Sequence, residues 1–303
     1  LVRGDVIVVA PGTSYAGGFT VTAADSGVMI LGAADYSTAV AGAVSVTGAA
    51  DVVVQRLTLN GGLTGTNADR LVITDDTIGG GGLVLSGGSE VRVLCNQLGG
   101  ATGLRVLTPT SGYIAGNDIQ GASIGLNLSA AFTGLIFDND IHNASVGVTY
   151  GAAATLSANR IHHNATGVLA TVAGSVTGFG FVGAALPNQI YANTTGVSLT
   201  GQMQNQSIHD NVTGVSGSGV LGGTDLALMN LIEANSAGVS GFTGTIQYSR
   251  IARNNVGIAT TNNLIIVHNL IYRNTTVAIA VNADSGVQIV SNTIYAPLGD
   301  SIR

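Results

Sequence analysis

The chain has 303 residues, a formal net charge of −6 at pH 7, 46% hydrophobic residues and only 9% charged residues. It has no Lys and no run of 18 apolar residues, so we expect no nucleic-acid partner and no membrane span. Its single cysteine, Cys95, excludes an internal disulfide and leaves the redox compartment open.

The first predicted element is a strand over residues 4–9, which ends at the turn-forming pair Pro11-Gly12. No signal peptide or capping helix precedes this strand, and the chain stops soon after a repeat. Natural solenoids cap their ends or continue. Because the repeats keep their phase, we expect residues 1–303 to form a single domain. From its uncapped ends we expect a segment of a larger exported protein, with a processed product as the alternative.

A short repeat follows at intervals of about 20 residues, with an Asn two positions before an aliphatic residue and a later Asn and Gly-Val. A repeat of this length is too short for a helix pair, and its Gly and Asn content predicts a β-solenoid. The aliphatic residues, which we call the anchors, are predicted to be buried. They are Leu57, Ile78, Leu98, Ile119, Ile141, Ile161, Ile190, Ile208, Ile232, Ile251, Ile271 and Ile294.

The corners of each coil are predicted at the repeated Asn and Gly, because these residues adopt left-handed backbone conformations most easily. Between the corners lie three short apolar alternations, as at Ile114, Ile119 and Leu126. A period of two indicates strands with one face inward. The predicted fold is all-β: a parallel β-helix with three short strands per coil and about 12 to 13 coils.

Two repeats are longer than the others, with additional residues at 178–181 and 219–224. We expect these additions to form loops or bulged strands at one corner. In repeat proteins such insertions often shape a binding face.

The opening Asp5-Val6-Ile7-Val8-Val9-Ala10-Pro11-Gly12-Thr13, followed by Gly18-Phe19-Thr20-Val21, resembles the first coil of the pectin-lyase-like superfamily. The Asn-x-Ile phrase resembles the right-handed parallel β-helix repeats of that superfamily and of large bacterial surface proteins. This resemblance implies a right-handed solenoid that is secreted or held on a bacterial cell surface and contacts polysaccharide. The scaffold hosts lyases, epimerases, hydrolases, adhesins and stalks, so it does not specify the function.

The active-site motifs of these enzyme families do not transfer to this chain. Of the polygalacturonase-type motifs Asp75-Asp76 is present, but the chain has no Lys for the Arg-x-Lys motif. None of its four prolines precedes a His, as the Asp-Pro-His motif of mannuronan epimerases requires. Candidate site residues must therefore come from strand geometry.

The residues on either side of each anchor share the outward face and stack into two columns along the coils. Over five repeats these columns concentrate the titratable groups of the sequence, with Asp138 and His163 at the margins. We call this set the polar strip. It comprises Asp118, Asp140, His142, Arg160, His162, Tyr191 and His209.

The polar strip contains the groups needed for proton transfer on a uronate. Arg160 would pair with the sugar carboxylate, and a His or Tyr would remove the C5 proton while a second group returns one. The candidate catalytic residues are His142, His162, Tyr191, Arg160 and His209. The alternative interpretation is an ordinary solvated strand face.

Binding without catalysis would use an overlapping set of residues. Tyrosines one or more coils apart, with about 4.8 Å per coil, would lie against sugar rings. The candidate substrate-binding residues are Asp118, Asp140, Arg160, Tyr191, Tyr272 and Tyr295.

We predict no metal site and no cofactor. His142, His162 and His209 are not on consecutive coils, because Tyr191 intervenes; an ion shared by His142, His162 and Asp140 is the weaker alternative. Calcium at Asp118, Asp138 and Asp140 is the alternative, but it would require backbone carbonyls that the sequence does not specify.

Three functions follow from these observations. The first is an exported, non-catalytic rod for surface presentation or polysaccharide binding, with a polysaccharide or cell-surface glycan as partner. The second is a polysaccharide lyase or C5-epimerase acting on a uronate polymer. The third is a structural subunit that forms fibres by end-to-end self-association.

Overall fold

The computed structural model describes residues 1–12, 14–35, 37–171, 186–224, 226–260, 263–282 and 286–303. The chain divides into two compact units, unit 1 (Leu1–Thr155) and unit 2 (Leu156–Arg303). Among the described residues, two short 3-10 helices, Ala23–Asp25 and Leu226–Leu228, accompany the strands. Neither helix has the length or apolarity to cross a membrane. The single domain over residues 1–303 stays a prediction.

Unit 1 has three parallel sheets, and each strand pairs with the strand three positions later in the chain. Sheet A contains β1 (Val6–Val8), β4 (Met29–Leu31), β7 (Val53–Gln55), β10 (Val72–Thr74), β13 (Val91–Leu94), β16 (Thr110–Ala115) and β19 (Phe132–Phe137). Sheet B contains β2 (Ser14–Tyr15), β5 (Ala39–Val40), β8 (Thr58–Leu59), β11 (Thr77–Ile78), β14 (Gln97–Leu98), β17 (Asp118–Gln120) and β20 (Asp140–His142). Sheet C contains β3 (Phe19–Thr22), β6 (Val44–Thr47), β9 (Leu63–Thr66), β12 (Leu83–Ser86), β15 (Thr102–Thr108), β18 (Ile124–Leu128) and β21 (Val146–Tyr150). Strand β22 (Ala154–Ser157) contains the boundary between the units.

Unit 2 repeats this arrangement with longer strands. Its sheet B contains β23 (Arg160–His162), β25 (Gln189–Tyr191), β27 (Ser207–His209), β29 (Asn230–Glu233), β31 (Ser249–Ala252), β34 (Leu270–Tyr272) and β37 (Thr293–Tyr295). Its sheet C contains β24 (Thr166–Ala170), β26 (Thr195–Met203), β28 (Thr213–Leu221), β30 (Ala237–Gln247), β32 (Val256–Thr260), β35 (Val277–Val281) and β38 (Asp300–Ile302). The second half of β30 pairs with β33 (Leu264–Val267), which pairs with β36 (Gln288–Val290). The long strands therefore contribute to two faces of a coil.

The predicted all-β solenoid is confirmed, with three parallel sheets and about 13 turns. Anchors of successive coils lie in register, as in the pairs Ile119↔Ile141 and Ile190↔Ile208. All twelve anchors except Ile294, which is half-buried, are almost fully buried. Each buried aliphatic side chain contributes about 1.5 to 3 kcal/mol, so the stacked anchors form the core of each unit.

The first anchor is misassigned. Ile78 pairs with Leu59, not with Leu57, so Leu59 is the true anchor of its coil. Both leucines are buried and face inward, because they are two residues apart in an extended chain. Leu57 occupies the inward corner position that carries a polar side chain in later coils.

The two long insertions have different outcomes. Residues 178–181 lie outside the described residues. Of the second insertion, Gly219, Val220 and Leu221 continue β28, and the pairing of this strand with β30 shifts register between Val215 and Gly217. This insertion lengthens a bulged strand.

The corners differ from the prediction in which residue turns the chain. Left-handed backbone conformations occur one residue before most of the repeated asparagines, as at Asp138 (φ 53°), His163 (φ 54°) and Asp210 (φ 55°). The following asparagines point inward and are buried. The residue that turns the chain and the residue that stabilises the turn are therefore neighbours.

The buried asparagines form hydrogen-bonded ladders that run from coil to coil. Asn211 is 3% exposed, and its Nδ2 donates to Asn235 Oδ1 at 3.0 Å and to Ile190 O at 3.0 Å. Its Oδ1 accepts from the backbone N of Asn193 at 2.9 Å. The same pattern continues at Asn235 and Asn254. Each amide satisfies backbone groups that the corner removes from the sheets.

The ladder in unit 1 begins with a carboxyl group in place of an amide. Asp76 Oδ1 accepts from the Leu57 backbone N at 2.7 Å, while Asp76 Oδ2 has no hydrogen-bond partner among the described residues. Burial raises the pKa of Asp76 from its ordinary value of 3.8 to about 8, against the opposing effect of the Leu57 N–H. The protonated acid is the form that resembles an Asn amide.

Asn211→Ala is expected to destabilise unit 2 by about 3 kcal/mol, because it leaves the Ile190 carbonyl and the Asn193 N–H buried without partners. Guanidinium unfolding measures the loss. Asn282→Ala, at an exposed position in the same unit, is the matched control and should change stability by less than about 0.5 kcal/mol. Equal stability of the two variants would contradict the structural role of the ladder.

Asp76→Asn is expected to raise the unfolding temperature by about 5 °C at pH 8.5 and much less at pH 4.5. Because folding raises the pKa of Asp76, its stabilising contribution is complete below about pH 4 and is lost as pH rises toward 8. Thermal unfolding measured across this pH range tests whether stability falls as pH rises. Asp75→Asn removes the neighbouring, half-buried carboxylate, whose charge raises the Asp76 pKa less than burial does, and should leave most of the pH dependence in place. A pH profile that is identical in the native chain and Asp76→Asn would contradict this assignment.

Candidate functional site

In unit 1, the strip residues lie on the outward face of β17 and β20. Asp118 is in register with Asp140, and Gln120 is in register with His142. A diagonal contact joins the two columns, with His142 Nε2 2.9 Å from Asp118 Oδ1. Gln120 Nε2 also donates to Asp118 Oδ1 at 3.3 Å. The Asp118 carboxylate therefore fixes the orientation of the imidazole on the next coil.

In unit 2, the second column of the strip forms a continuous ring stack. Strands β23, β25 and β27 place His162, Tyr191 and His209 in register. The His162 and Tyr191 ring centroids are 4.8 Å apart with an interplanar angle of 22°. Tyr191 and His209 are 5.1 Å apart and parallel within 1°. Since both faces of Tyr191 are covered, it presents its edge and hydroxyl to a ligand.

Corner residues hold the imidazoles of this stack. His162 Nδ1 lies 2.6 Å from His163 Nδ1, and His209 Nδ1 lies 2.7 Å from Asp210 Oδ2. His209 Nε2 also lies 3.3 Å from Gln189 Oε1. His163 and Asp210 both occupy the left-handed corner, which turns their side chains back toward the preceding residue. The ring stack is therefore braced at its edges.

Beyond His209 the column continues with charged and aromatic groups. Glu233 follows His209 in register and accepts from Arg253 Nη1 at 3.3 Å. Tyr272 and Tyr295 are paired in the last strands of sheet B, and Tyr295 is 58% exposed. The Arg250 guanidinium lies 5.4 Å from the centroid of the Tyr272 ring.

The structure places the predicted site residues in two groups. Asp118, Asp140 and His142 belong to unit 1, whereas Arg160, His162, Tyr191, His209, Tyr272 and Tyr295 belong to unit 2. All of them lie in sheet B, as predicted. Their catalytic and substrate-binding roles stay predictions.

Sequence reasoning missed the residues that brace the strip. Gln120, Gln189 and Asp210 hydrogen-bond to strip side chains, and His163 was placed only at the margin. Two of these residues could have been found from their position in the repeat, because Asp210 and His163 each stand two residues after an anchor. That position becomes informative once it is recognised as the left-handed corner.

Charge is distributed unequally between the units. Unit 1 carries five Arg and eleven acidic residues, whereas unit 2 carries five of each. Four of the five His, all except His142, are in unit 2. The net negative charge of the chain therefore belongs to unit 1.

Metal-ligating side chains do not cluster in the described part of the chain. No group of three or more His, Cys, Asp or Glu residues there is arranged to hold a metal ion. At His162 and His163 two imidazole nitrogens lie 2.6 Å apart.

A family model described as periplasmic copper-binding protein (NosD) matches residues 26–194, more than half of the chain. The chain belongs to the NosD family. This is a right-handed β-helix family, so the predicted right-handed parallel β-helix of the pectin-lyase-like superfamily is confirmed. No match to a curated protein was found.

The NosD-family chain is also similar to solved structures at low identity. PfbA, a surface adhesin of Streptococcus pneumoniae, is 11% identical, with 99% of this chain and 85% of that chain covered and a TM-score of 0.44. A mutant form of the periplasmic alginate epimerase AlgG is 11% identical, with 97% and 78% covered and a TM-score of 0.45. A mannuronic acid specific polysaccharide family 6 lyase from human gut microbiota is 12% identical, with 95% and 78% covered and a TM-score of 0.40.

Proposed function

We propose that this NosD-family chain is an exported, non-catalytic β-helix that binds an acidic polysaccharide along sheet B of unit 2. The observation that carries the proposal is the braced stack of His162, Tyr191 and His209. Three successive coils present hydrogen-bonding ring edges in one line. A linear polymer offers matching groups at regular intervals along its length.

The stack is suited to binding because its side chains are already fixed. Ring stacking and the contacts of His163 and Asp210 hold the imidazoles in place. Side chains that are ordered before binding lose little conformational entropy when the ligand arrives. The Tyr191 hydroxyl both donates and accepts hydrogen bonds, which suits sugar hydroxyls.

Charge favours an acidic polymer as the ligand. Arg160 and Arg250 lie in the first outward column of sheet B in unit 2, beside the ring column. Unit 2 has no excess of acidic residues to repel a polyanion, unlike unit 1. Guanidinium groups form paired hydrogen bonds with carboxylates, so uronate residues suit these positions.

The hydrogen bonding of the strip favours binding over catalysis. A general base needs a nitrogen directed at the substrate proton, yet both nitrogens of His209 already face oxygen atoms of Asp210 and Gln189. His162 Nδ1 is likewise occupied by His163. The lyase or epimerase alternative would have to break these contacts.

An extracytoplasmic location follows from the proposed ligand and the family. Structural polysaccharides are found outside the cytoplasm, and the family description places its members in the periplasm. We therefore propose that the chain acts in the periplasm or at the cell surface.

Copper does not fit the described residues, although the family is described as copper-binding. Copper(II) in proteins favours tetragonal sites of nitrogen and oxygen ligands. His162 and His163 supply two nitrogens, and no third His, Cys, Asp or Glu completes a site in the described ranges. We therefore derive no copper chemistry for this chain.

Tyr191→Ala is expected to weaken binding to polygalacturonate or alginate at least tenfold, because it removes the middle ring and the stacking contact of both imidazoles. Tyr191→Phe should be intermediate, since it keeps the stack and loses the hydroxyl. Affinity electrophoresis in polymer-containing gels measures the change, and binding should weaken with salt.

His268→Ala, at a corner of unit 2, is the control for loss of an aromatic side chain and should retain native binding. If the native chain binds neither polymer nor other acidic glycans, the proposal is wrong. New absorbance from unsaturated uronate products, lost in His162→Ala, would instead establish the lyase alternative.

Copper(II) is expected to be removed from the chain by a weak competitor. After equilibrium dialysis with equimolar CuCl2 and excess glycine, we expect no stoichiometric copper to be retained, as judged by atomic absorption. One retained equivalent that disappears in His163→Ala but not in His268→Ala would show that the imidazole pair forms part of a real copper site.

A further inference from the structure

Unit 1 contains a groove on sheet A that is separate from the polar strip. The groove has a volume of about 380 Å³ and lies across β13, β16 and β19. Its charged and aromatic lining residues are Glu90, Arg92 and Tyr113. Ser111 and Thr133 add hydroxyl groups. This volume is within the range of small-ligand sites.

Two glycines form the floor of the groove. Gly112 (φ 141°) and Gly134 (φ 128°) are in register on neighbouring strands. A Cβ at Gly112 would lie 1.9 Å from Val91 O, and one at Gly134 would lie 2.1 Å from Gly112 O. No larger residue fits at either position. The two strands therefore leave a surface without side chains here.

The groove holds charged groups that the protein leaves unpaired. Among the described residues, neither the Glu90 carboxylate nor the Arg92 guanidinium has a hydrogen-bond or ion-pair partner, and Arg70 acts on Glu90 only through longer-range charge. Ser111 Oγ accepts from the Glu90 backbone N at 3.3 Å, so its own proton is available to a ligand. Tyr113 follows Arg92 in register and is 50% exposed.

We propose that this groove binds a neutral saccharide. Sugar hydroxyls donate to a carboxylate and accept from a guanidinium, so one ligand satisfies both Glu90 and Arg92. The apolar face of a sugar ring packs against an exposed aromatic ring such as Tyr113. One positive and one negative group give the groove no net charge, so it has no general attraction for a polyanion. The site lies in a different unit and sheet from the proposed acidic-polymer surface, and does not depend on it.

The sequence provides a direct fluorescence test, because the chain contains no Trp. Tyr113→Trp keeps an aromatic surface and places a single Trp in the groove. Titration with cellotetraose, mannotetraose and chitotetraose is expected to shift its emission for at least one of these probes. Glu90→Gln and Arg92→Gln in the Tyr113→Trp background should each weaken that binding at least tenfold. Thr77→Trp, at an exposed position in sheet B of unit 1, should show no shift.

Saturation-transfer NMR on the native chain with the same three probes removes any effect of the introduced Trp. The proposal is overturned if neither method detects binding, or if both charge variants bind as tightly as their parent. Binding of glycylglycine in place of the sugars would also overturn it and assign the groove to zwitterions. The groove variants should retain native affinity for polygalacturonate or alginate, so each of the two proposals can fail independently.

Discussion

The buried asparagine ladders are the constraint on which the rest of the structure depends. Strands of two or three residues in sheet B cannot hold their own register, since a single slip would exchange their inner and outer faces. The ladder prevents this slip because each amide binds the corner of the neighbouring coil. Asn211, for example, contacts Asn193, Asn235 and the Ile190 carbonyl at once. A one-residue slip would break all of these hydrogen bonds.

Fixed register has a direct consequence for the surface. Because the anchors align, the residues beside them align too, and the outward-facing side chains form columns along the coils. The stacked rings of His162, Tyr191 and His209 follow from this alignment. The same alignment produces the paired glycines beneath the sheet A groove. Corner residues such as Asp210 add a second effect, because their left-handed backbone turns the side chain toward the column.

The fold and the columns could be predicted from the sequence because both follow from one periodic pattern. The pattern fails where two residues satisfy it equally, as when Leu57 was taken for the anchor in place of Leu59. It also assigned the left-handed turn to Asn, because propensity does not distinguish a turning residue from a buried one that stabilises the turn. Glu90, Arg92 and Tyr113 escaped notice because their groove depends on the paired glycines Gly112 and Gly134, which no repeat position marks.

The two candidate surfaces differ in how the backbone shapes them. In sheet B of unit 2 the short strands are regular, so side chains stand in line and support one another, which suits an extended polymer. In sheet A of unit 1 the paired glycines leave the floor of the groove without side chains, which suits a compact ligand. In the first surface the imidazole nitrogens are already hydrogen-bonded to neighbouring side chains. In the second surface the Glu90 and Arg92 side chains have no partner among the described residues. One scaffold can therefore support two kinds of recognition, since the ladders hold the coils in register while the outward residues vary.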